Sequence, residues 1–177
     1  MLYFMLFVAS TYLMVFVGTP YINVFCDWTV WIMLAVFLVL DVLYDLFFGG
    51  EKATTWMKDM VIFNSIVGPT VEELISRFFI MEVFFIEYLR FPWIEAILTS
   101  NLFFTGLHLP QLVSEERSLK EVGLNTASIY FSGFLISVIY WFSGFNLFPA
   151  IVLHSGMNLV SDVIYYLNLP KKIRRLL

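Results

Sequence analysis

The sequence predicts an all-α, multi-pass transmembrane helical bundle of about six spans enclosing a polar intramembrane cavity. Three observations carry that expectation. Hydrophobic residues make up 60% of the 177-residue chain and charged ones only 14%, against the roughly 25% charge of a typical soluble domain. Apolar runs approaching the ~20 helical residues that a ~30 Å hydrocarbon core requires follow one another with short interruptions. The few ionisable residues inside those runs fall in clusters, and burying such groups in lipid is unfavourable enough that function is their default explanation. No Pro/Gly/Ser-rich linker, internal repeat or low-complexity tract divides the chain, so residues 1–177 read as one integral membrane domain.

Spans are expected near residues 2–21, 28–48, 60–89, 92–109, 124–142 and 146–167. The N-terminal stretch has neither a positive leader nor a small-residue cleavage site, and it reads as the first span. The third run is too long for one straight crossing. Pro69 lacks a backbone donor and its ring clashes with the preceding turn. A helical piece over 55–68 is therefore expected, then a new helix from Pro69 to Leu89 with Pro69 in its first turn. Trp28, Trp31, Trp93, Trp141, Tyr165 and Tyr166 suit interfacial aromatic belts. Cys26 is the only cysteine, which excludes an internal disulfide, a cysteine-based zinc site and a CxxC redox pair.

The basic residues orient the bundle. Six crossings place Lys52, Lys58, Arg117, Lys120, Lys171, Lys172, Arg174 and Arg175 on one side and only Arg90 on the other. Basic loops stay cytoplasmic, so both termini are expected on the cytoplasmic side, or on the matrix or stromal side in an organelle. The basic tail can also meet anionic headgroups.

Three polar clusters occupy three different spans. Glu73 and Arg77 are four apart, share a helical face and read as an ion pair that lets both charges survive in lipid. Glu72 diverges from Glu73 by about 100°, so Arg77 cannot readily neutralise both, and one carboxylate is left for proton transfer. His108 lies before Pro110 with Phe104 one turn behind it. His154 and Asn158 share a face, with Asp162 one turn further. One Glu and two His either ligate zinc or serve as base and proton shuttle. Asn158 is a neutral donor of the kind that holds an oxyanion. Ser155 and Gly156 permit close approach of a neighbouring helix. Asp41 and Asp45 are read as supporting residues without a named partner, Asp162 as solvated or supporting, and Glu82, Glu87 and Glu95 as headgroup- or bundle-facing.

The ordered motifs Glu72-Glu73-x-x-x-Arg77, Phe104-x-x-x-His108 and His154-x-x-x-Asn158 resemble the signature of the CAAX protease and bacteriocin-processing (CPBP, or Abi) family, which includes the Ras-converting CAAX endopeptidases. The likeness covers residues 55–167 as a catalytic core and leaves the first two spans unplaced. It implies an intramembrane endopeptidase that hydrolyses a peptide bond in a membrane-associated protein or peptide. Glu72, helped by His108, would activate water; His154 and Asn158 would hold the tetrahedral oxyanion; Glu73 and Arg77 would support the scaffold. Nothing provides HExxH spacing, so the resemblance is read with metal-independent chemistry, zinc through Glu72, His108 and His154 being the other option. The family often continues its first motif with Arg-Gly; here Phe78 follows Arg77. The chain is short for the prenyl-CAAX branch, which favours a smaller, Abi-like enzyme acting on another peptide or protein tail.

The expected partners are the lipid bilayer and a peptide or membrane-protein substrate, with no nucleic acid. The main alternative is a non-catalytic subunit of a larger membrane complex that keeps the family fold. A transporter or proton relay is a weaker alternative, because the chain shows no repeat symmetry.

Overall fold

The computed structural model describes residues 18–48, 63–114 and 118–166, and all regular structure among them is helical. After an irregular segment over 18–27 come α1 (Trp28–Phe48), a π-helical turn π1 (Phe63–Val67), α2 (Gly68–Glu73), a long π-helical stretch π2 (Leu74–Tyr88), α3 (Trp93–Ser114), α4 (Leu119–Phe142) and α5 (Leu147–Tyr166). Leu119–Phe142 and Leu147–Ile164 are long and apolar enough to cross a membrane. Most of the expected first span lies outside the described residues, and its last residues, 18–21, are not helical.

The helix does not break at Pro69. Val67 and Leu74, which flank α2, both hold right-handed helical angles (φ −70°, ψ −47° and φ −57°, ψ −44°), so π1, α2 and π2 follow one another without a gap. The proline sits in the first turn of α2, just behind a π turn whose wider coil relaxes the four-residue hydrogen-bond ladder that a proline interrupts. The Thr70 hydroxyl donates to the Ile66 carbonyl at 2.7 Å and satisfies an acceptor in that turn. Helix α3 likewise runs through Pro110 to Ser114 rather than ending at 109.

Helix α4 starts earlier than its apolar run because Ser118 and Glu121 form a capping box: the Glu121 carboxylate accepts from the Ser118 amide at 2.9 Å and Ser118 accepts from the Glu121 amide at 3.3 Å. It ends in a tight reversal in which Gly144 and Phe145 take left-handed φ of 72° and 61°. Gly144 does so without strain; Phe145 is held there by its amide's bond to the Tyr140 carbonyl (2.9 Å) and by its edge-on contact with the Tyr140 ring. The buried Asn146 side chain then pins the irregular N-terminal segment. It accepts from the Asn23 amide (2.9 Å) and donates to the Asn23 carbonyl (2.7 Å) and Cys26 Sγ (3.2 Å).

Helix α3 packs against π2 and α4, α4 against α5, and α1 against α4 and α5, while π1 and α2 lie on α5. Met81, Ile97, Ile136, Ile139, Leu147 and Leu153 fill the interior. Gly156 brings α5 close to α1, since a β-carbon there would sit 3.6 Å from Leu38. Many outward side chains, among them Leu102, Phe103, Leu107 and Leu159, are apolar and exposed. A wetted surface would not favour that coat, and a lipid-facing one would.

Candidate active site

Four elements supply the site. Glu72 and Glu73 end α2, Arg77 lies one turn into π2, His108 is on the last third of α3, and His154 is on the first half of α5. The structure brings all five together. Glu72 Oε2 lies 3.8 Å from His108 Nε2 and 3.7 Å from His154 Nε2, and these three side chains are the partly exposed members of the cluster. Both separations exceed direct hydrogen-bond length.

Behind them lies a closed polar layer. Glu73 and Arg77 are fully buried, with Arg77 Nε 2.8 Å from Glu73 Oε2, so the ion pair expected from the four-residue spacing forms. Glu73 has a second role that helix spacing alone does not reveal. Its Oε1 lies 2.7 Å from His154 Nδ1, so one carboxylate joins Arg77 to a histidine 81 positions further along the chain. Arg77 continues inward, donating to Asn101 Oδ1 at 3.3 Å and to the Gly133 carbonyl at 3.1 Å. Asn101 is fixed in turn by donating to the Ile97 carbonyl (2.8 Å) and to Ser137 Oγ (3.0 Å). Gly133 is required here, because a β-carbon would meet Asn101 Oδ1 at 2.7 Å and Phe104 at 3.3 Å.

The Phe104 ring is the apolar hub of this layer. It lies under the Arg77 guanidinium (5.2 Å to centroid), tilts against His108 (4.6 Å) and meets His154 edge-on (6.2 Å). Phe78, which follows Arg77, is buried in the core.

The two imidazoles are held differently. His108 Nδ1 is 2.9 Å from the Phe104 carbonyl; a carbonyl only accepts, so Nδ1 carries a proton, and Nε2 is directed toward Glu72. His154 has a carboxylate on Nδ1 instead, so Nδ1–H donates to Glu73 Oε1 and Nε2 is directed toward Glu72. Asn158 and Asp162 follow on the next turns of α5, both half-buried. Among the described residues no group of three or more His, Cys, Asp or Glu side chains is disposed to hold a metal ion.

Asn101, Gly133 and Ser137 were not legible as site residues. Asn101 offered a signal, being seven positions before His108 and thus on its face of the helix, but it carries no charge. Two other polar contacts lie apart from the cluster. Buried Asp41 accepts from Ser132 Oγ at 2.6 Å, tying α1 to α4. Glu82 accepts from the Tyr140 hydroxyl, joining π2 to α4. The Asp45 side chain lies outside the described residues.

Glu72, His108 and His154 thus meet at one place in an all-helical bundle whose outward side chains are largely apolar. Residues 54–160 match the family model of the type II CAAX prenyl endopeptidase Rce1-like proteins, and the chain belongs to that membrane-embedded protease family. Glu72, His108, His154 and Asn158 all fall within the matched residues. No curated protein and no solved structure matches the chain.

Proposed function

We propose that the protein is a multi-pass intramembrane endopeptidase in which Glu72 and His108 activate a water molecule. The observation that carries this reading is the position of Glu72 Oε2, between His108 Nε2 at 3.8 Å and His154 Nε2 at 3.7 Å.

The chemistry follows from which groups donate and which accept. Glu72 as a carboxylate and His108 through Nε2 are both acceptors, so a water between them directs its two protons at them and its lone pair outward. As the water oxygen bonds to the scissile carbonyl carbon, one proton passes to Glu72 or His108. The carbonyl oxygen takes on negative charge and accepts from His154 Nε2–H and from the Asn158 amide. Glu73 keeps His154 oriented and supports its charge, the role a buried carboxylate has behind a catalytic histidine. Collapse of the tetrahedral species breaks the C–N bond, and the proton held by Glu72 or His108 moves to the leaving amine. One water is consumed, one peptide bond is lost, and the site returns to its starting protonation.

The family's name points to C-terminal CAAX-type sequences on prenylated proteins as the first substrates to try. The test is cleavage of S-farnesylated and unmodified CAAX-type peptides by purified protein in lipid nanodiscs, with products weighed by mass spectrometry. Release of a C-terminal tripeptide by wild type and not by His108→Ala supports the proposal. Equal cleavage by both proteins, or inertness of wild type toward every peptide while it co-purifies with a larger complex, contradicts it.

A further inference from the structure

Hydroxyl groups of this bundle commonly bond back to their own helix. Those of Thr70, Ser76, Ser100, Thr126 and Ser137 each donate to a backbone carbonyl three or four residues earlier, at 2.6–3.1 Å. Ser132 Oγ reaches across to Asp41 instead. Two buried hydroxyls have neither arrangement. Ser65 Oγ and Thr105 Oγ1 have no hydrogen-bond partner among the described residues, although their residues are only 4% and 5% exposed. A buried hydroxyl without a partner is unfavourable, and it is rare enough to need an explanation.

Their positions suggest one. Thr105 is on α3 three residues before His108, next to Phe104 and four residues after Asn101, so it belongs to the stripe that faces the cluster. Ser65 is on π1, which packs against α5, the helix that carries His154. One hydroxyl thus belongs to the helix that carries His108, and the other to an element packed on the helix that carries His154.

A peptide bond is attacked only when the chain around it is extended, and an extended chain at membrane depth must place each N–H and C=O on a protein group. Helices have no backbone groups to spare, because theirs are bonded internally. Side-chain hydroxyls not already bonded back to their own helix are then the groups able to do it. We infer that Ser65 and Thr105 are substrate-positioning residues whose hydroxyls bond to the extended backbone of a peptide on either side of the scissile bond. This rests on the endopeptidase reading and extends it by assigning where the backbone is held. The two oxygens are enclosed here, so their bonds form as the helices part to admit peptide.

The experiment measures kcat and KM for an S-farnesylated CAAX-type peptide and its unmodified counterpart with Ser65→Ala, Thr105→Val and Thr105→Ser in nanodiscs, with Glu72→Gln as control. Each of the first two variants should raise KM roughly three- to tenfold with kcat within twofold. Thermal stability should be equal to or above wild type, since an unpaired buried hydroxyl is removed, and Thr105→Ser should restore the wild-type KM. Unchanged KM in both Ser65→Ala and Thr105→Val, with Glu72→Gln inactive, overturns the inference alone. A Glu72→Gln protein that still cleaves overturns the assignment of water activation to Glu72, and a wild-type protein that cleaves neither peptide overturns the endopeptidase reading and this inference with it.

Discussion

Replacing Arg77 with methionine is expected to remove most of the fold's stability, and the size follows from its contacts. Arg77 is fully buried, and the substitution keeps much of its volume while deleting its charge. Taking one partner from a buried ion pair costs about 3–5 kcal/mol, chiefly because the other charge is left behind. The bonds to Asn101 and Gly133, at a membrane-bundle mean of ~0.6 kcal/mol each, bring the expected loss to about 4–6 kcal/mol. That approaches the whole stability of many domains. The Glu73→Gln/Arg77→Met double variant removes both charges of the pair, so it should be less destabilised than the sum of the single variants by about 2 kcal/mol or more. Unfolding by dodecyl sulfate in mixed micelles, followed by the fluorescence of the five tryptophans, measures all four proteins. An Arg77→Met protein within 1 kcal/mol of wild type, or additive single effects, would refute the description of this layer.

Three further outcomes are expected. Gly133→Ala places a methyl 2.7 Å from Asn101 Oδ1; it should destabilise by about 1–3 kcal/mol in the same assay and lower turnover by disturbing Phe104. Asn146→Ala removes the bonds that hold Asn23 and Cys26; limited proteolysis should cut faster within residues 18–27, with about 1–3 kcal/mol lost. Ser132→Ala withdraws a donor from Asp41 and should cost about 0.6 kcal/mol, and no more than about 1.7, without altering catalysis.

The sequence shows what its charges and spacings can encode. Glu73 and Arg77 pair because an i,i+4 spacing on a helix leaves few alternatives in an apolar setting, and they do so at 2.8 Å. Glu72, His108 and His154 meet because three separate helices cannot each present an ionisable group to lipid without penalty. Contacts between elements were less visible. The Glu73–His154 bond spans 81 positions, and nothing local marks it. Helix spacing at 3.6 residues per turn leaves Glu82 either headgroup- or bundle-facing and names no partner for it. In π2 the coil is wider, about 4.4 residues, which brings positions 73, 77 and 82 close to one line and Glu82 onto the hydroxyl of Tyr140. The same widening explains why Pro69 does not end the helix. Asn101 and Gly133 were passed over because an uncharged amide and a missing side chain look unremarkable until Arg77 is seen to rest on them.

The most direct measurement is single-turnover hydrolysis by Glu72→Gln in nanodiscs, with peptide affinity determined in parallel by fluorescence anisotropy. Loss of a general base predicts a fall of about 10²- to 10⁴-fold in the hydrolytic rate while the dissociation constant stays within a few-fold of wild type. A variant that binds peptide and cleaves it at the wild-type rate would contradict the assignment of water activation to this carboxylate.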